Sequence, residues 1–149
     1  MTNENKMMNT NTQLTNTPID SETLHQELVE GAESCGGIVV FEGRVRNHSH
    51  GKPVTALSYE CYEPMALKEM EKIRQEALKK WKVERIIAVH RQGDIPLGET
   101  AVWIGVASTH RDEAFLASRF MIDEIKAKVP IWKKENYTDG THVWVHQSC

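Results

Sequence analysis

The sequence predicts an α/β-type domain in which strands alternate with two long helices, and two patterns carry that prediction. Short β-branched and aromatic runs recur at 37–41, 85–90, 100–107 and 142–146, each with the length and composition of a strand. Between them lie two longer segments with helical spacing. Ala66, Met70, Ile73, Ala77 and Trp81 step by 4, 3, 4 and 4, and Ala114, Met121 and Ile125 line the second segment. At 149 residues, 40% hydrophobic and 26% charged, the chain has material for one core and needs no second domain, so a single domain is expected over 18–149.

Residues 1–17 are mostly Asn, Thr and Met, with too little aliphatic surface to offset the entropy of ordering, and a disordered tail is expected there. Asp20 or Ser21 is placed to cap a short helix through Leu24, Leu28 and Val29, which Gly31 and Gly36-Gly37 punctuate. Gly37 to Phe41 reads as a buried strand that delivers the chain to a polar loop, Glu42 to Gly51, rich in cationic or protonatable groups. Strand character resumes from Val54 to Tyr62, with Leu57, Tyr59 and Cys61 on one face and Ser58 and Glu60 on the other.

Pro64 lies near the start of the first long helix, where its missing N–H costs little. Strands at Arg85–His90 and Thr100–Ala107 flank a Gly- and Pro-marked turn over 92–98. Ser108 or Thr109 is placed to cap the second long helix. Pro130 ends that helix by forcing Val129 extended, and the chain turns back. A turn at Thr138–Thr141 precedes the last strand, and Trp81, Trp103 and Trp144 read as core. No solenoid repeat is present.

The formal net charge of −3 hides an asymmetry: residues 1–36 hold one basic side chain against six acidic ones, leaving 17 basic against 15 acidic in the rest. That balance suits a local anion site and argues against a nucleic-acid groove, which needs a larger basic stripe. Cys35, Cys61 and Cys149 lack metal or redox spacing and read as reduced thiols of a cytoplasmic protein. Neither an export signal nor a run of roughly 18 to 20 apolar residues is apparent, so no membrane association is expected.

Three basic clusters fall at element ends: Arg44 to His50, His110-Arg111, and Lys126 to Lys134 around Pro130. Arginine forks, helix N-termini and lysines together suit a small phosphorylated substrate. Lys126 and Lys133, on either side of the proline, are candidates to face one pocket, where desolvation beside Ile131 and Trp132 makes a lysine a candidate acid, base or nucleophile. Each cluster also has a plainer reading. Arg44 and Arg46 fit solvated loop charge, His110 a local packing residue, and Lys128 and Lys134 cations favoured near a helix C-terminus. His48 and His50 lack a third ligand, so no metal is expected. His110-Arg-Asp112 spells a kinase triplet, but the companion kinase elements are missing.

Four segments in order, 37–48 (GIVVFEGRVRNH), 89–93 (VHRQG), 108–111 (STHR) and 126–135 (KAKVPIWKKE), resemble the large, catalytic subunit family of molybdopterin synthase. The resemblance covers about residues 20–146. It implies an α+β, hammerhead-like fold with a mixed or antiparallel sheet, two long helices and an additional small antiparallel sheet. It further implies a homodimer at the core of a heterotetramer with a small ubiquitin-like sulfur carrier, whose C-terminal Gly-Gly thiocarboxylate threads into the large subunit. The implied reaction is sulfurtransferase chemistry: two sulfurs pass to cyclic pyranopterin monophosphate to form the molybdopterin dithiolene, with no cofactor. By the same resemblance Lys126 and Lys133 are catalytic, and Arg44, Val45, Arg46, His110, Arg111, Lys134 and Glu135 bind substrate. A lysine is often found at the position of Arg44, where charge is kept and geometry differs. The alternatives are a non-catalytic module for a phosphorylated ligand or a ubiquitin-like partner, and a metal-dependent phosphohydrolase.

Overall fold

The computed structural model describes residues 11–146. In chain order the elements are β1 (Thr12–Thr15), α1 (Ser21–Val29), β2 (Gly37–Arg44), β3 (His48–Ser49), β4 (Lys52–Cys61), α2 (Glu63–Lys80), β5 (Arg85–Arg91), β6 (Gly93–Pro96), β7 (Thr100–Ser108), α3 (Arg111–Lys128), β8 (Ile131–Tyr137) and β9 (His142–His146). They form a four-stranded mixed sheet, ordered β1-β5-β7-β2, and a five-stranded sheet, ordered β3-β4-β8-β9 with β6 also paired to β4. In the mixed sheet only β1 and β5 run parallel; every pair of the second sheet is antiparallel. This is the α+β architecture with two long helices and an additional antiparallel sheet that the family resemblance implies.

Strands β5 and β7 are apolar almost without interruption because both faces of their sheet are covered. Ile86 and Ala88 of β5 and Val102, Ile104 and Val106 of β7 pack against Met70, Ile73 and Ala77 of α2 and Ala117, Met121 and Ile125 of α3. The alternate residues, Ile87, Val89, Trp103 and Ala107, meet Leu24 and Leu28 of α1 on the opposite face. A third cluster, Val45, Val54, Leu57, Ile95, Ala101 and Tyr137, lies under the second sheet, and Tyr59 packs against both it and the first. Asp20 caps α1, accepting from the Thr23 amide at 3.2 Å.

Several sequence expectations require correction. Residues 12–15, placed in the disordered tail, form β1, pairing Thr12 with Ala88 and Arg91 with Thr15; residues 1–10 lie outside the described residues. An edge strand is recruited by main-chain hydrogen bonds and needs few aliphatic side chains. Here Thr12 also donates to Glu71 at 2.6 Å, and Leu14 packs on the core. The turn over 92–98 contains β6, whose Ile95 is fully buried against β4. Ser58, expected on the outer face of β4, is buried because Asp94 of β6 accepts its hydroxyl at 2.6 Å. His110, without a side-chain cap bond, is the N-cap of α3, while the Ser108 hydroxyl donates to the His110 carbonyl. Trp103 is buried, but Trp144 is 47% exposed and Trp81 only partly covered, since β9 is an edge strand and Trp81 sits at the end of α2.

The tightest helix–sheet approach runs through Gly105. A Cβ built there would stand 2.6 Å from the Trp103 indole and 2.8 Å from Leu28, both fully buried. Neither neighbour can swing into solvent, so overpacking is the result. Gly105→Ala is expected to destabilise the fold by about 1–3 kcal/mol in urea unfolding; an unchanged midpoint would show that the α1 layer yields freely.

Candidate active site

Pro130 sets the local geometry. It lies between α3 and β8 with Val129 as the helix C-cap, whose amide reaches back to Ile125 at 3.1 Å. Lys126 is thereby held in the last turn of α3. Strand β8 then pairs with β4 so that Lys133 lies opposite Tyr59 and Glu135 opposite Leu57. Side chains alternate along a strand: Ile131, Lys133, Glu135 and Tyr137 are buried, while Trp132 is exposed and Lys134 partly so. Lys126 and Lys133 consequently line one cavity of about 240 Å³, together with Arg44, Arg46, Tyr59, His90 and Glu135.

Lys133 is 7% exposed, and its Nζ lies 3.2 Å from Glu135 Oε2. Glu135, 1% exposed, also accepts from the Ser49 hydroxyl at 2.7 Å and the Tyr137 hydroxyl at 2.6 Å, with His50 Nδ1 at 3.3 Å. Burial alone would raise the Glu135 pKa, but the bonds from Tyr137, Ser49 and Lys133 outweigh it and bring it down to about 2. The carboxylate is therefore ionised at any physiological pH.

His90 and Tyr59 complete the inner wall, their rings edge-on at 5.0 Å. His90 Nδ1 lies 2.8 Å from the Arg91 carbonyl, which can only accept, so the hydrogen sits on Nδ1. Burial, and to a smaller degree the charge of Lys126, pushes His90 down to about 4 against the Arg91 bond, and the imidazole is neutral. Burial raises Tyr59 to about 12; the Glu135 charge adds to the shift and Arg46 opposes it.

At the mouth, Arg44 and Arg46 are exposed on either side of Val45, which is 3% exposed. Val45 donates its amide to Glu99 at 3.0 Å and accepts from Gly98 at 2.9 Å, so it anchors the loop and is not itself open to a ligand. Arg44 donates through Nε to the Gly98 carbonyl at 2.9 Å and also borders a wider groove of about 700 Å³. That groove is the larger of the two, yet its Arg91 is paired with Glu99 at 2.7 Å, and it holds neither lysine. Both lysines and Glu135 line the smaller cavity.

Besides Val45, three residues singled out from sequence lie outside this cavity. Lys134 turns away from the cavity, its Nζ 5.7 Å from the Trp144 ring centroid. His110 and Arg111 are exposed at the opposite end of α3. Fifteen residues separate Arg111 from Lys126, roughly 22 Å at the rise of an α-helix. Conversely, sequence reasoning passed over His90, Tyr59 and Ser49. His90 alone carried a signal, as a histidine inside an otherwise apolar strand. Two amines, one paired with an ionised carboxylate, arginines at the entrance and a neutral imidazole equip the cavity to hold an anion and move protons. Among the described residues no group of three or more His, Cys, Asp or Glu is arranged to hold a metal ion.

The MoaE protein family profile matches residues 14–128. A molybdopterin synthase catalytic subunit of Nostoc is 40% identical over 133 residues, spanning 89% of this chain and 79% of that protein. The corresponding protein of Pyrococcus abyssi is 43% identical over 114 residues, 76% of each chain. A longer relative of the same name from Drosophila erecta is 45% identical over 131 residues, and this chain spans only 35% of its length. Among solved structures, molybdopterin synthase from Staphylococcus aureus superposes with a TM-score of 0.84 at 37% identity, over 91% of this chain and 96% of that one. A complex of subunits 1 and 2 of molybdopterin-converting factor from Helicobacter pylori shares the fold, with a TM-score of 0.74 at 23% identity. The paired lysines of the cavity thus sit in a chain that belongs to the MoaE protein family, that of molybdopterin synthase catalytic subunits.

Proposed function

We propose that this chain is the catalytic subunit of a molybdopterin synthase, transferring two sulfurs from a thiocarboxylated, ubiquitin-like carrier to cyclic pyranopterin monophosphate. The observation that carries the reading is the convergence of Lys126 and Lys133, from a helix end and a strand, in one cavity with Arg46 at its mouth. A thiocarboxylate is already a good nucleophile, so the protein's work is positioning and proton delivery. A lysine ammonium in a partly dry cavity can protonate a departing oxygen or stabilise a developing anion without first losing its proton. Arg46, with Arg44 beside it, holds the phosphate as a charge-assisted donor.

His110 and Arg111 stand about 22 Å along α3 from Lys126 and cannot serve the same cavity within one chain. A second copy can supply them. Beside them on α3, Phe115 is 61% and Leu116 52% exposed, apolar surface suited to an isologous contact that would carry the pair toward a partner's cavity. In this reading the homodimer is the core of a heterotetramer, one carrier at each end. Its setting is the cytoplasm, in keeping with the free thiols of Cys35 and Cys61. A module that binds the same ligands without chemistry would not consume carrier.

Lys126→Ala is expected to reduce dithiolene formation by at least about 100-fold while the carrier complex still forms; near-normal turnover with thiocarboxylated carrier rejects the assignment. Arg46→Ala should weaken binding of the pyranopterin phosphate by about 10–100-fold in a direct titration, the worth of one charge-assisted hydrogen bond, and an unchanged affinity removes Arg46 from the phosphate site. Shared sites predict complementation. Lys126→Ala and Arg111→Ala chains, each inactive alone, should regain up to about a quarter of wild-type activity when co-expressed, because a mixed dimer keeps one intact site. No recovery would place His110 and Arg111 outside the reaction.

A further inference from the structure

A lysine on a strand has four rotatable bonds and no intrinsic reason to point anywhere; something must hold it if it is to meet a reacting atom. For Lys133 that something is Glu135, two residues on and on the same face of β8. A carboxylate offers about four acceptor positions. In Glu135 three are taken by protein donors, Ser49 Oγ and Lys133 Nζ at Oε2 and Tyr137 Oη at Oε1, and His50 Nδ1 stands 3.3 Å from Oε1 beside the fourth. A substrate group could reach this carboxylate only by displacing one of them. The side chain is also the most deeply buried charged group of the cavity wall, at 1% exposure.

The supports of Glu135 come from two places. Tyr137 lies further along β8, itself buried. Ser49 belongs to β3, a two-residue strand joined to β4 by a turn in which His50 and Gly51 adopt φ of 52° and 76°. A hairpin with only two paired positions, His48 with Pro53 and Ser49 with Lys52, does not hold itself in water. The Ser49–Glu135 bond pins it to β8, so the carboxylate is braced from both sides before any ligand arrives.

We propose that Glu135 is a positioning residue, braced by Ser49 and Tyr137, that aims the Lys133 ammonium into the cavity and does not itself contact the substrate. The inference rests on the reading of Lys133 as an acting group. It assigns to Ser49 and Tyr137 a part in the reaction that neither their type nor their place in the sequence announces.

The test uses the assembled synthase with thiocarboxylated carrier and two separate readouts, the dissociation constant of cyclic pyranopterin monophosphate and the single-turnover rate of sulfur transfer. Glu135→Gln keeps the shape and the oxygen that accepts from Tyr137; with an NH2 in place of the other oxygen the ammonium is released and the Ser49 hydroxyl must turn to accept. It is expected to slow the single turnover by about tenfold or more while changing the dissociation constant by less than about threefold. Ser49→Ala and Tyr137→Phe, milder and independent of any folding defect in Glu135→Gln, should each slow the same step by a smaller factor. Ser49→Ala combined with Glu135→Gln should add little to Glu135→Gln alone, because both act through one group. A dissociation constant that rises as much as the rate falls would make Glu135 a substrate ligand and overturn the proposal. A lowered melting temperature with an unchanged rate would overturn it as well, leaving a purely structural bond. Full activity of Lys133→Ala would instead remove the reading on which the proposal rests, whereas an inactive Lys133→Ala beside a fully active Glu135→Gln would remove the proposal alone.

Discussion

The site depends on one covalent constraint, the proline that separates α3 from β8. Without an amide hydrogen at residue 130 the helical ladder cannot continue, and Val129 is forced to extended backbone. The next amide, that of Ile131, bonds the Val129 carbonyl at 2.8 Å, and Ile131 itself is buried in the main core. These two anchors fix the phase of the new strand. Once residue 131 points inward, 133, 135 and 137 must as well, since the period of a strand is two. The lysine on the helix and the lysine on the strand are brought to one cavity by that phase; a shift of one residue would send Lys134 inward and Lys133 to the surface.

A constraint of phase needs a rigid frame against which to act, and the mixed sheet supplies it. Helices α2 and α3 cover one face of β5 and β7 and α1 the other, so the central strands cannot slide without exposing one apolar set or the other. His90 shows the consequence. It is buried in β5 next to apolar neighbours, yet lies where the sheet gives way to the cavity. Its Nδ1 is satisfied by the Arg91 carbonyl, which is what allows an imidazole to be buried there uncharged.

How much of this was legible in the sequence follows the same division. The stripe from Ala66 to Ala77 and the runs at 85–90 and 100–107 report their burial directly, because each contacts core along its whole length. Strands β1, β6 and β8 do not. They are recruited by the edges of other strands, and main-chain pairing leaves no plain apolar alternation in TQLT, in a Gly- and Pro-bearing segment, or in a strand whose four inward residues include a lysine and a glutamate. Pro130 was readable as a helix stop, and the two flanking lysines as candidates to share a pocket, but the outward turn of Lys134 required the register with β4. Glu135 is the clearest case. Its four partners come from β8 and from a hairpin 85 and 86 residues earlier, a relation that no local pattern encodes.

The electrostatic character of the cavity follows from these placements. A chain with a formal net charge of −3 nevertheless gathers Arg44, Arg46, Lys126 and Lys133 around a single ionised carboxylate. Isolated burial of so many cations would be prohibitive, and the structure limits the cost in two ways. The arginines stay at the solvent-facing mouth, and the most buried lysine, Lys133, is paired within 3.2 Å of Glu135. The imidazole that would add another positive charge is kept neutral by its burial and by the nearby Lys126. What remains is a surplus of positive charge lining a partly enclosed cavity, a setting that draws in an anionic group and strengthens an ammonium against a developing negative charge. One buried carboxylate is enough to hold a lysine without cancelling that surplus; a second would have reduced it further.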